Sequence, residues 1–274
     1  MASPTAPAAP RRGGLGHRLT VLRTEWLTPH LVRVVLGGSG VAGIPDNGCT
    51  DRYVKLAFRR PGVTYPEPLD VGAVREPMPR SDWPIMRTYT IRSLDHIVGE
   101  MAIDFVVHGD EGVAGPWALA ARPGDELLLQ GPGGAFAPAA DVDAHVLIGD
   151  LAALPAIAAA CERVAPGTPV HGVIEVDGPD DELVLESPGS LSLRWVHRGA
   201  GEDLVEVVRA ASWPEGRVQV FAHGETGAMK ALRGHLRDER GVERELLSIS
   251  GYWRRGLDEE AFQADKRAGN GVAA

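Results

Sequence analysis

The hydrophobic pattern of this chain changes its period once, near residue 141, and that single change limits the folds open to it. From about His17 to Pro138, apolar residues come in short alternating runs broken by glycine and proline: RLTVLRTEW, LVRVVLGG, RYVKLAF, RTYTIRSL, MAIDFVVHG and DELLLQG. Alternation sends Val54, Leu56 and Phe58 to one face of their run and Tyr53, Lys55 and Ala57 to the other. Met101, Ile103 and Phe105 are set against Ala102, Asp104, Val106 and His108 in the same way. Six such strands at short, irregular spacing predict an antiparallel barrel.

Beyond Asp141 the pattern is different. AHVLIGD is an almost unbroken apolar run, as in a strand covered on both faces, and LPAIAAACERV follows it with Pro155 suited to a first helical turn. Further strands read as VHGVIEV, LSLRWV, RVQVFAHG and LLSISGYW. Helices read as DLVEVVRAA and TGAMKALRGHLRDERG, the latter with Met229, Leu232 and Leu236 at helical spacing and Gly241 as its stop. Strand alternating with helix predicts a parallel sheet. The expectation is therefore a two-domain β plus α/β chain, with an antiparallel β-barrel over 17–140 and a parallel-sheet α/β domain over 141–256. Aperiodic residues 1–16 read as a flexible tail, and 257–274 as a tail or short helix. The length of 274 residues agrees with two domains of roughly 150. A crevice between two unlike halves is a common place for a ligand.

Composition removes several function classes. Lys and Arg number 28 against 37 Asp and Glu, a net charge of −9, which argues against the broad basic face of a nucleic-acid binder. The two cysteines, Cys49 and Cys161, are too few for a four-thiolate zinc or iron–sulfur site. No run approaches the roughly 18 apolar residues that span a bilayer, and the opening MASPTAPAAPRRGG lacks a signal-peptide core, so a cytoplasmic protein without membrane insertion is expected. No histidine pair has the HExxH spacing, and no protein-held metal is expected.

Three strings carry chemistry. In MRTYTIR, alternation puts Arg87, Tyr89 and Ile91 on one side of a strand and Thr88, Thr90 and Arg92 on the other. A guanidinium fork beside a phenol suits a diphosphate and a planar ring; the alternative is a solvated polar face. In VVHGDEGVAGPWALAARPG, Gly112, Gly115 and Pro116 lie where a strand turns into a short helix, so first-turn amides can face a phosphate, with His108 and Trp117 flanking the turn. In IGDLAALPAIAA, Gly149 lets backbone approach a ligand at the carboxyl end of the first parallel strand.

Together and in order, DRYVKLAF, MRTYTIRSLD, DFVVHGDEGVAGPWA, GDLAALPAI, FAHGETGAMKALRGHLRDERG and GYWRRG resemble the siderophore-interacting, FAD-binding family of ferric-siderophore reductases, within the ferredoxin-reductase-like flavoproteins. The resemblance spans about residues 17–256. It implies a barrel holding FAD and a second domain receiving NADPH or NADH. Arg87 would then contact the FAD diphosphate, Tyr89 pack on the flavin or its ribityl chain, and Thr90, the residue assigned to catalysis, hydrogen-bond near the reactive flavin edge. Val106, His108 and the turn Gly112, Val113, Ala114, Gly115 to Trp117 would hold the remainder. Gly149, Asp150, Leu154 and Pro155 would form the nicotinamide-side loop with Gly224 and Glu225, and Trp253 would approach the flavin from the second domain. Lys55 matches a lysine of the family placed to attract an anionic ferric siderophore, with Arg254 and Arg255 next in line.

Two departures from the family pattern stand out. Gly115 replaces a common Ser or Thr, removing a hydroxyl worth roughly 0.5–3 kcal/mol to a phosphate. Leu151 and Ala152 interrupt the common GDETALPAI, which opens the donor to NADH, NADPH or a reduced ferredoxin-type protein. Glu175 or Asp177 suits a ribose hydroxyl and NADH, whereas His197 and Arg198 suit a 2′-phosphate; the residues leave both open. A monomer is expected. The competing activities are a general flavin-type reductase for another acceptor and a siderophore-binding protein without turnover.

Overall fold

A computed structural model describes residues 16–109 and 112–257, together with 261, 262, 265 and 268. The expected N-terminal tail, Gly16 apart, and most of the expected C-terminal tail or helix lie outside the described residues.

The first half comprises β1 (His17–Thr28), β2 (Leu31–Gly37), β3 (Tyr53–Phe58), β4 (Ile85–Thr90), β5 (Ser93–Asp95), β6 (Glu100–Val106), helix α1 (Ala114–Ala120) and β7 (Glu126–Gly133). The strands form one antiparallel sheet in the order β4-β3-β7-β1-β2-β6-β5. Its two edge strands, β4 and β5, are separated in sequence only by Ile91 and Arg92. The run RTYTIRSL is thus one stretch that bends, pairing with β3 before the bend and with β6 after it. Arg92 N donates to Ala102 O at 2.9 Å, so the bend closes the sheet into a barrel and turns six expected runs into seven strands.

Alternation decides what fills the barrel. Val54, Leu56 and Phe58 from β3 and Met101, Ile103 and Phe105 from β6 are buried together with Leu19, Leu36 and Leu129. Ala57 faces the other way, under the long β3–β4 connection with Tyr65 and Leu69. Helix α1 packs on the barrel core through Ala114 and Ala118, and the Trp117 ring lies 5.6 Å from those of Phe58 and Phe105.

The second half comprises β8 (Ala144–Asp150), α2 (Leu154–Cys161), β9 (Pro169–Val176), β10 (Ser190–His197), α3 (Leu204–Ala210), β11 (Val218–Glu225), α4 (Thr226–Gly234) and β12 (Leu247–Trp253). Its sheet is parallel throughout, in the order β10-β9-β8-β11-β12. All seven residues of β8 are buried, as its unbroken apolar run requires. The chain steps outward from β8 to β9 and β10 and then returns to β11, so the order reverses between β8 and β11. That reversal is the switch point at which open α/β sheets bind ligands, beyond the strands' carboxyl ends. The stretch TGAMKALRGHLRDERG is less uniform than expected. After α4 it widens into a π-helical turn over His235–Glu239, where the His235 ring meets Glu239 and Arg240, and Gly241 then ends it at φ +66°.

The halves share an apolar seam. Leu31 and Phe136 from the barrel side pack with Leu147, Leu154, Ile157 and Phe221, and α2 is buried on every face. Arg92 pairs with Glu162, His30 with Asp181 at 2.8 Å, and Arg163 donates to Gly48 O at 2.9 Å.

Candidate functional site

A cleft of about 1490 Å³ runs between the β4 edge of the barrel and the carboxyl ends of the parallel strands. Drug-sized ligands occupy roughly 300–1,000 Å³, so there is room for a large ligand and a second one beside it.

On the barrel wall, β4 has a ladder partner on one side only. Arg87, Thr88, Tyr89 and Thr90 all line the cleft, although strict alternation would have hidden one pair. Arg87 donates to the Met86 carbonyl at 2.9 Å, and the Tyr89 ring rests on Phe105 with centroids 4.5 Å apart. Thr90 is buried. Lys55 stands opposite Thr88 in the ladder and is exposed. Val106 and His108 continue the wall, followed by Gly112, Val113, Ala114 and Gly115. Gly112 has φ +81°, a conformation that favours glycine. Among the described residues, the N-cap Val113 gives the first turn of α1 no side-chain hydrogen bond. A Cβ at Gly115 would meet Val106 O at 3.4 Å, an ordinary contact, so no steric need explains glycine there. Trp117, expected to flank the ligand, does not line the cleft.

The opposite wall is organised around Asp150. Its carboxylate accepts from Ala152 N at 3.0 Å, Ala153 N at 3.3 Å, Glu225 N at 2.8 Å and Trp253 Nε1 at 2.7 Å. Burial pushes this carboxyl above its ordinary range and the four donors pull the other way, burial being the larger influence. The ends of β8, β11 and β12 are thereby tied together, and the Trp253 indole is held at the cleft. The glycines expected to approach a ligand serve this packing instead. A Cβ at Gly149 would come within 2.7 Å of His223 O, and one at Gly224, which has φ +154°, within 2.7 Å of Asp150 Oδ2. Glu225 caps α4 by accepting from Ala228 N at 2.9 Å. Leu154 is in the apolar seam, while Pro155 reaches the cleft. Of the two arginines of GYWRRG, both lining the cleft, Arg254 is engaged by Asp265 and Arg255 N donates to Glu225.

Tyr252 lines the cleft too, and the sequence motifs did not single it out. Its half-buried phenol faces the Thr90 side chain, and burial pushes it well above the ordinary tyrosine range. The last strand of the second half thus touches β4 directly. Its ring meets His223 edge-on at 4.9 Å, and His223 stacks on Phe221 at 3.9 Å. Asp51 was also missed; it lines the cleft and accepts from Ala135 N and Phe136 N at 2.9 Å. Among the described residues, no three His, Cys, Asp or Glu side chains gather as metal ligands.

A closed antiparallel barrel and a five-stranded parallel sheet meeting at such a cleft make a ferredoxin-reductase-like fold. The same fold occurs in a ferredoxin reductase of carbazole 1,9a-dioxygenase, with TM-score 0.62 and 18% identity over 87% of this chain and 67% of that one. The profile of the siderophore-interacting FAD-binding domain matches residues 20–136, and that of the siderophore-interacting protein matches residues 142–256. The chain belongs to the siderophore-interacting protein family. Among its relatives, an uncharacterized protein of Mycobacterium tuberculosis is 44% identical over 92% of this chain and 94% of its own length. The ferric vibriobactin reductase ViuB of Vibrio cholerae is 30% identical over 90% and 93%. The siderophore-interacting protein SipS of Aeromonas hydrophila superposes with TM-score 0.77 at 31% identity, covering 93% of this chain and 97% of that one. Among the described residues, no helix is long and apolar enough to cross a membrane.

Proposed function

We propose that this protein is an FAD-dependent reductase that passes electrons from NADH, NADPH or a reduced ferredoxin-type donor to ferric iron held in a siderophore. The observation that carries this reading is the open edge of β4, whose Arg87, Tyr89 and Thr90 face a nucleotide-type switch point across one cleft. The donor set fits the cofactor: a guanidinium and first-turn amides for a diphosphate, an aromatic ring and a hydroxyl for a flat heterocycle. FAD supplies the conversion of a two-electron donor into one-electron deliveries.

The chain's own residues bind and orient. Arg87 and the amides of Gly112–Gly115 would hold the diphosphate, with Val106 and His108 beside them. Tyr89, braced on Phe105, would pack on the heterocycle, and Thr90, facing Tyr252, would donate to it. Trp253, pinned by Asp150, would shield the heterocycle from water. Pro155 and the Asp150 loop receive the donor nucleotide. Lys55, Arg254 and Arg255 raise the local concentration of an anionic siderophore. Hard oxygen ligands hold ferric iron more firmly than ferrous iron, so reduction loosens the cage. We place this activity in the cytoplasm, in a monomer whose two domains meet near residue 141.

The test is the visible spectrum of purified protein before and after each nicotinamide, followed by a ferric siderophore with a ferrous trap. Flavin absorbance, bleaching by a nicotinamide and ferrous release support the reading. A colourless protein that FAD cannot reconstitute overturns it. Equal rates with ferric citrate or dyes would point to a general flavin reductase, and binding without ferrous release to a carrier.

A further inference from the structure

Beyond the ends of β9 and β10, two kinds of residue compete for the same ligand position. The second strand of the parallel sheet ends in Glu175, Val176 and Asp177, and Arg198 follows the third. In nucleotide-binding sheets of this kind, an acid at the end of the second strand accepts the adenosine ribose hydroxyls of NADH, whereas a nearby arginine accommodates the 2′-phosphate of NADPH. The sequence holds both, and their geometry separates them. Arg198 Nη2 lies 3.0 Å from Asp177 Oδ1, and Nη1 lies 3.9 Å from Glu175 Oε1. All three side chains line the cleft. His197, the other candidate for a phosphate, directs Nε2 to Glu182 at 2.7 Å. Glu175 is the less exposed of the two acids, and the charges acting on it are Arg198 and Arg255 against Asp150 and Asp203.

We propose that this end of the cleft selects NADH over NADPH, with the Glu175–Asp177 pair accepting the ribose hydroxyls and Arg198 acting as the clasp that holds Asp177 in place. A 2′-phosphate would have to displace a carboxylate from Arg198 and then remain beside it and Glu175, a like-charge juxtaposition. A ribose hydroxyl donates to a carboxylate already in position and displaces nothing. The site thus names the nucleotide class, resting on the nicotinamide-dependent reading above.

The experiment is calorimetric titration of the flavin-loaded protein with ADP-ribose and with 2′-phospho-ADP-ribose, which carry the discriminating end of each nucleotide without its redox chemistry. ADP-ribose is expected to bind at least tenfold more tightly. In Asp177→Asn, where Arg198 is released, the phosphorylated probe should gain about fivefold and the plain one should weaken, closing most of the gap. Flavin absorbance, read in the same samples, tells the two failures apart. A protein that takes up no flavin fails the reading on which this proposal rests. A flavin-loaded protein that binds the phosphorylated probe as tightly as ADP-ribose, or binds neither, overturns the selectivity alone. A preference that Asp177→Asn leaves unchanged also overturns it.

Discussion

The two walls of the cleft are built on opposite plans. The barrel wall presents an edge strand with one ladder partner, a helix start that its N-cap residue leaves uncapped and an exposed lysine, all beside the cleft. On the α/β wall the polar groups are directed at one another. Asp150 takes four donors, Glu225 caps α4, Asp177 holds Arg198 and Asp265 holds Arg254. Both walls carry residues of the family's motifs, yet on one they suit contact with a ligand and on the other they fasten three strand ends together. A glycine or an acid in a motif can mark internal scaffolding as readily as contact.

The harshest test of that contrast is Asp150. In Asp150→Ala, the N–H groups of Ala152 and Glu225 and the Trp253 indole lose an acceptor, at about 1–3 kcal/mol for each group left unpaired. A loss of at least about 3 kcal/mol is expected, seen as a melting temperature lower by roughly 6–12 °C. Asp150→Asn keeps one acceptor oxygen and should lose less. It also isolates a pH effect. Burial raises the folded-state carboxyl above its unfolded value of about 3.9, so between those two pH values the native state holds a proton that the unfolded state has released. Stability then falls as pH rises through that window. Melting curves from pH 4 upward should show the wild type losing stability relative to Asp150→Asn, and parallel curves would remove Asp150 from its assigned place.

On the barrel wall the largest effect is expected from Arg87→Ala. Removing a charged donor to the diphosphate costs about 1.5–3 kcal/mol, or roughly ten- to hundredfold in FAD affinity. Melting temperature without FAD should fall less than in Asp150→Ala, because Arg87 is only half-buried. Apo-protein titrated with FAD reads the first, and calorimetry of the apo-protein the second. If both walls behaved alike, the apo-protein of this variant would be as destabilised as Asp150→Ala.

Most of the fold was legible because burial imposes period: the seven buried residues of β8 and the alternating faces of β3 and β6 are written directly in residue order. The bend at Ile91 and Arg92 was not, since alternation continues through it and only the second ladder reveals it. The barrel side of the site was similarly legible, because strand and turn keep Arg87 to Thr90 and Gly112 to Gly115 as local groups. The Asp150 cluster was not, because its partners Glu225 and Trp253 lie 75 and 103 residues away in sequence. Tyr252 was hidden for the same reason: its contact with Thr90 belongs to the meeting of the two halves.

Smaller effects sharpen the picture of the open wall. Lys55→Ala removes an exposed charge worth about 0.2–1 kcal/mol. KM for an anionic ferric siderophore should rise about two- to fivefold, more at low salt, with flavin retained; unchanged kinetics would remove Lys55 from substrate attraction. The smallest effect is a gain. Gly115 sits in the first turn of α1, where a Cβ makes only ordinary contacts and φ needs no glycine. A serine there restores a donor toward the phosphate, worth about 0.5–1.5 kcal/mol. Gly115→Ser should therefore tighten FAD binding about two- to tenfold in a titration of apo-protein, and Gly115→Ala should not. Equal gains from both variants would credit helix propensity instead of the hydroxyl, and the barrel wall would then be less complete as a phosphate site than its amides suggest.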